Sequence, residues 1–119
     1  MKPTPTFLLV SLILCLNTIQ SNGQSLYFYL ANNTGKTFDK INVSPSEQGR
    51  WGNNLIPTTY LNDGYKTRID LSENYGRTCY FDLQINTTDG RWYTFSTLNL
   101  CDLYSITIDW DWTYQIVWE

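Results

Sequence analysis

The chain contains no histidine. That removes the commonest general base and the usual proton acceptor of a nucleophilic serine or cysteine. Cysteine is scarce too: of the three present, Cys15 lies in an apolar N-terminal run, which leaves Cys79 and Cys101. Two thiolates without an imidazole fall short of the three or four ligands that zinc sites use. Basic residues number 8 against 11 acidic ones, for a formal net charge of −3, and they are scattered singly. With no patch to track a phosphate backbone, a nucleic-acid partner is not expected. Past residue 23 no apolar run is long enough to cross a bilayer as a helix, and no stretch keeps a helical period. No cofactor, no metal and no catalytic residue are expected.

What is present begins with a three-part leader, MKPTPTFLLVSLILCLNTIQSNG. Lys2 precedes an apolar run from Phe7 to Leu16 that is too short for a membrane span, and Ser21 and Gly23 follow at the small-residue spacing of a cleavage site. Residues 1–23 therefore read as a cleaved signal peptide, with Cys15 as one more apolar residue of it. Residues 24–119 read as one domain. An exported protein lies in the periplasm or outside the cell, where an even pair of cysteines oxidises. Cys79 and Cys101 are expected to be bridged, which suits a small domain that needs a staple.

The rest alternates in short runs broken by Gly, Asn, Asp, Pro and Ser, the pattern of an antiparallel all-β domain. Strands are expected at 26–31, 38–43, 66–71, 79–86, 91–98, 104–109 and 114–118. Asn32 to Gly35, Asn62 to Gly64 and Thr88 to Gly90 are the turns. Pro45 is expected to take the chain out of the sheet. In the fourth strand Cys79, Phe81, Leu83 and Ile85 face inward, and Tyr80, Asp82 and Gln84 face out. The count suggests an immunoglobulin-like sandwich of about seven strands. Trp51, in the irregular stretch RWGNNLIP, is expected to plug its core, with Phe95 and Trp118 joining by parity.

From Tyr104 to Trp118 every even position is apolar or aromatic. One strand of that length would extend about 50 Å, against a radius of gyration of about 12–13 Å for so small a domain. The run must break, and Asp109-Trp110-Asp111-Trp112-Thr113 is its polar, turn-tolerant point. A tight connection has too little volume beneath it for two indoles, so Trp110 or Trp112 should stand exposed beside Asp109 and Asp111.

Several short motifs recur in a recognisable order: Asn32-Asn33-Thr34-Gly35, Val43-Ser44-Pro45-Ser46, Trp51-Gly52, Asp63-Gly64, Cys79-Tyr80-Phe81-Asp82-Leu83, Asp89-Gly90 and Asn99-Leu100-Cys101. In this layout the chain resembles a family of small exported bacterial β-proteins with no established activity. The resemblance implies a fold and supplies no catalytic residue. It departs at the end, where the family often has a glycine-containing turn and this chain has Asp109-Trp110-Asp111-Trp112.

Three chemistries compete for these residues. Asp109 and Asp111 are a close carboxylate pair of the kind glycoside hydrolysis uses at fixed separations, but turn acids are commonly just solvated. Asp89, Asp109 and Asp111 are hard oxygen donors suited to calcium, without the spacing of a calcium-binding loop. Aromatics are the strongest signal: 5 Trp, 9 Tyr and 5 Phe, more than a small core readily hides. Exposed Trp and Tyr stack on sugars and anchor protein interfaces, although aromatics are also favoured in strands. The expected function is thus a non-catalytic exported binding or interaction module. Its partner would be a protein or glycan, held by Trp110 and Trp112 with Asp109 and Asp111 as hydrogen-bond acceptors. A structural envelope-associated domain without a ligand is the alternative, and a small hydrolase comes third. The sequons at Asn32, Asn42 and Asn86 read as turn and strand-end chemistry.

Overall fold

The computed structural model describes residues 27–71 and 78–118. The expected signal peptide at residues 1–23, Leu26 and Glu119 lie outside the described residues. Seven strands form where alternation places them: β1 Tyr27–Asn33, β2 Phe38–Pro45, β3 Lys66–Asp70, β4 Tyr80–Thr87, β5 Trp92–Asn99, β6 Leu103–Asp109 and β7 Tyr114–Trp118. They make a four-stranded sheet ordered β3-β1-β6-β7 and a three-stranded sheet ordered β2-β4-β5. Inward residues of both, among them Phe28, Leu30, Ile106 and Ile108 from the first and Phe38, Ile41, Phe81, Leu83 and Ile85 from the second, merge into one core. No helix among the described residues is long and apolar enough to cross a membrane.

Two features of this architecture correct the sequence reading. The sheets are not wholly antiparallel, because β1 and β6 run parallel, with Tyr29 beside Ser105 and Asn33 beside Asp109. The chain leaves β5 through Cys101 and Asp102 and enters the other sheet beside the start of β1, so β6 must follow β1 in its own direction. The connectivity also differs from that of a constant-type immunoglobulin domain. There the four-stranded sheet holds the first, second, fifth and fourth strands; here it holds the third, first, sixth and seventh.

β2 runs two residues further than expected, with Pro45 opposite Phe81. A proline is tolerated there because β2 is an edge strand and Pro45 its last residue. β1 likewise continues through Asn32 and Asn33. Cys79 and Cys101 are disulfide-bonded with Cα atoms 5.1 Å apart. The adjacent ladder sets this up, since Tyr80 pairs with Asn99 and the Leu100 N–H donates to the Cys79 carbonyl.

The motifs turn out to be structural pins. Asn32, 1% exposed, uses every hydrogen-bonding position of its amide. Its Nδ2 donates to the carbonyls of Lys36 (2.7 Å) and Leu61 (2.9 Å). Its Oδ1 accepts from the N–H (3.0 Å) and hydroxyl (2.7 Å) of Thr34. One side chain thereby ties the β1–β2 turn to the segment ahead of β3. Asn42 donates to the Gly52 carbonyl at 2.8 Å, and Gly52 lies so close to β2 that a Cβ would sit 3.1 Å from the Val43 carbonyl oxygen. Asp82 Oδ1 accepts from the Ser46 hydroxyl (2.8 Å) and the Thr97 N–H (2.9 Å), joining β2, β4 and a bulge in β5 where Thr97 has φ of 57°.

Trp51 does not reach the core; it is 38% exposed. The segment around it is held by polar pins on the outside of β2, and its apolar anchor is Ile56, buried, with Leu55 packed beside it. Trp118 also departs from expectation at 52% exposed. It shares the inward face with Ile116, but β7 is the last strand of its sheet, with no further described strand beside it. Phe95 is partly buried against the core.

Candidate functional site at the open edge

The β6–β7 hairpin closes with a three-residue loop. The Trp112 N–H donates to the Asp109 carbonyl at 2.9 Å and the Asp109 N–H to the Thr113 carbonyl at 2.8 Å. This is a type I turn followed by a residue with positive φ, a position glycine usually fills. Here it is Trp112, with φ of 63°. For a bulky residue that conformation costs about 1–2 kcal/mol. The offset lies across the sandwich: the Trp112 indole stacks on Tyr93 of β5, with centroids 3.5 Å apart and planes 6° from parallel. It also tilts against Phe38, 5.9 Å away.

The four expected site residues therefore part company. Trp112 is partly buried and packs on the core. Trp110, at the apex of the same turn, is 76% exposed. Asp111 folds back on Thr113, accepting its hydroxyl at 2.7 Å and its N–H at 3.2 Å. Those bonds hold the Asp111 carboxyl below the usual range, the hydroxyl contributing most. Asp109 accepts from Gln115 Nε2 at 3.1 Å and Asn33 Nδ2 at 3.4 Å. Both acids are thus engaged in shaping the tip. Asp89 is engaged likewise, by the Thr87 hydroxyl and Lys36 Nζ, which lower its pKa. Among the described residues no three His, Cys, Asp or Glu side chains gather as a metal site would require.

The strands beyond this turn carry further aromatics, of which the sequence reading placed Phe95 and Trp118 in the core. β5 and β7 are each an edge of their own sheet, and aromatic side chains meet between the two sheets near the turn. Tyr93 stacks with Trp112, and Phe95 meets Tyr114 edge-on at 5.8 Å. Trp92, Tyr114, Val117 and Trp118 remain exposed on these two strands. Parity within β7 was readable, but its being an edge was not, because that depends on which strand lies beside which.

Two other surfaces have less to offer a ligand. On the outer face of the larger sheet Tyr27, Tyr29 and Tyr104 adjoin, but Arg68 lies over the Tyr27 ring and Lys66 over Tyr29. Those cations take the ring faces that a sugar would need. An open hollow of about 360 Å³ beside Trp51 contains Arg50 as its one ionisable side chain. Another, of about 540 Å³ beside Tyr60, contains Asp39. Both are open and lined mainly by polar residues, without the apolar lining that small-molecule sites use.

No protein-family model matches the chain, and no curated protein is similar to it. The NMR structure of a protein from Eubacterium rectale is similar at 18% identity and a TM-score of 0.48, covering 83% of this chain and 92% of that one.

Proposed function

We propose that this protein is a non-catalytic, exported binding or interaction module that engages a protein or glycan partner through Trp110, with Asp109 and Asp111 beside it. The observation that carries this reading is Trp110, 76% exposed at the apex of a turn whose other side chains are engaged. An indole held in water by a rigid turn is pre-organised for stacking, so little ordering entropy opposes binding. Asp109 and Asp111, fixed beside it, retain acceptor capacity for hydroxyl or amine groups of the partner. The missing histidine and the bridged cysteines argue against catalysis. The leader and the disulfide argue for export to the periplasm or beyond. The resemblance to small exported bacterial β-proteins supports the same reading.

The test is intrinsic fluorescence during titration with muropeptides and neutral oligosaccharides, for the wild type and Trp110→Ala. The reading predicts a saturable change in the wild type. In the variant it predicts at least a tenfold loss of affinity with the melting temperature unchanged. Equal binding by both proteins overturns the role of Trp110, and turnover of any of these compounds overturns the non-catalytic assignment.

A further inference from the structure

The two sheets present four edge strands, β3, β7, β2 and β5, and three are protected against pairing with another chain. β2 is occupied by its own chain: the Ile41 N–H donates to Asn54 Oδ1 at 3.0 Å and the Leu55 N–H to the Ile41 carbonyl at 2.8 Å. Phe38 and Leu61 exchange two further bonds of 2.9 Å. β3 is short and carries Lys66, Arg68 and Asp70, the charged edge that resists strand addition. β5 is interrupted by the bulge at Thr97, whose N–H is taken by Asp82. β7 is as short as β3, but among the described residues it has neither the charges of β3, the bulge of β5 nor the hydrogen-bonded cover of β2. Its sequence, YQIVW, contains no charge, no proline and no glycine.

We propose that β7 pairs antiparallel with β7 of a second copy, joining two four-stranded sheets into one. This does not depend on the reading of Trp110. Centred on Ile116, the pairing sets Tyr114 opposite Trp118 of the second copy and Gln115 opposite Val117. In an antiparallel ladder the first pair lies on the face where Tyr114 already meets Phe95, so the aromatic ladder continues across the junction. No like charges oppose one another, which matters for a chain of formal net charge −3. Aromatic and β-branched cross-strand pairs are the favourable kind.

The area sets the strength. Tyr114, Val117 and Trp118 are 42%, 55% and 52% exposed. With backbone they would bury roughly 800–1,000 Å² in total, below the ~1,200 Å² at which stable interfaces begin. A weak, concentration-dependent dimer follows.

Sedimentation velocity of the oxidised protein purified after export tests this from about 5 μM to about 1 mM, the range in which so small an interface dissociates. The wild type is expected to move from monomer towards twice that mass. Gln115→Lys/Val117→Lys, which sets lysine opposite lysine, is expected to stay monomeric at an unchanged melting temperature, and Trp110→Ala to dimerise like the wild type. Should the double variant fail to fold, Val117→Lys alone and slowed amide exchange of wild-type β7 at high concentration serve instead. A wild type monomeric at 1 mM, or a lysine variant that dimerises as the wild type does, overturns the proposal.

Discussion

The two long sides of the sandwich are finished in opposite ways. Along β2 and the approach to β3, the chain closes its own edge with amides: Asn32, Asn42 and Asn54 bond to backbone carbonyls or N–H groups there. Along β5 and β7 the edge is closed with rings, and Trp110, Trp92 and Trp118 are left in solvent. Hydrogen-bonded closure satisfies backbone groups and leaves nothing for a partner. Aromatic closure fills the gap between sheets yet leaves the β7 edge and indole faces available. The contrast underlies the proposal that one side supplies stability and the other interaction.

The largest test of that division is Asn32→Ala. It would remove four hydrogen bonds, leaving the buried Thr34 N–H without its partner and the Leu61 carbonyl with the Phe38 N–H alone, at about 1 kcal/mol per bond. A loss of about 4 kcal/mol in urea unfolding is expected, with the open side still folded around whatever native protein remains. A loss below about 1 kcal/mol would mean that the covered side is not what holds the fold.

Next comes Trp112, the residue that links the two sheets at the tip. Trp112→Ala forfeits the stack on Tyr93 while keeping the positive φ, and should lose about 2–3 kcal/mol. Trp112→Gly forfeits the same stack but adopts that φ freely, so it should be the milder change by about 1 kcal/mol. Thermal denaturation of the pair reads the difference. If alanine is the better tolerated of the two, the backbone strain is not real.

Much of the covered side was legible in the sequence, and the open side was not. Turn motifs announce their conformations: Gly35, Gly64 and Gly90 all have positive φ, as expected of glycines that end tight turns. Alternation placed Phe81, Leu83 and Ile85 inside. The cysteines were paired by export chemistry and a hairpin. Neighbours set by topology left no such local trace. The parallel placement of β6 against β1, and the edge position that exposes Trp118, follow from where a crossover lands. Trp51 misled because a tryptophan in an irregular loop looks like a plug, whereas its neighbours Gly52 and Asn54 hold that loop on the outside of β2. Trp112 escaped because its positive φ, rare outside glycine, aims the ring back over the core.

The smallest expected effect sharpens that correction. Trp51→Ala should cost no more than about 1 kcal/mol, against the 3–5 kcal/mol typical of a buried indole. Chemical denaturation decides it, and a loss in the upper range would return Trp51 to the core.

Site-resolved amide hydrogen exchange, on protein dilute enough to be monomeric, tests the central claim most directly. Edge amides normally exchange fast, whereas amides held by a sealed edge open only with larger unfolding events. The account predicts that the N–H groups of Phe38 and Ile41, on the covered edge, are protected nearly as strongly as the centre of β4. It predicts that the β7 amides not bonded to β6 exchange at least a hundredfold faster, as open edges do. Rapid exchange at Phe38 and Ile41, or equal protection along β2 and β7, would contradict it.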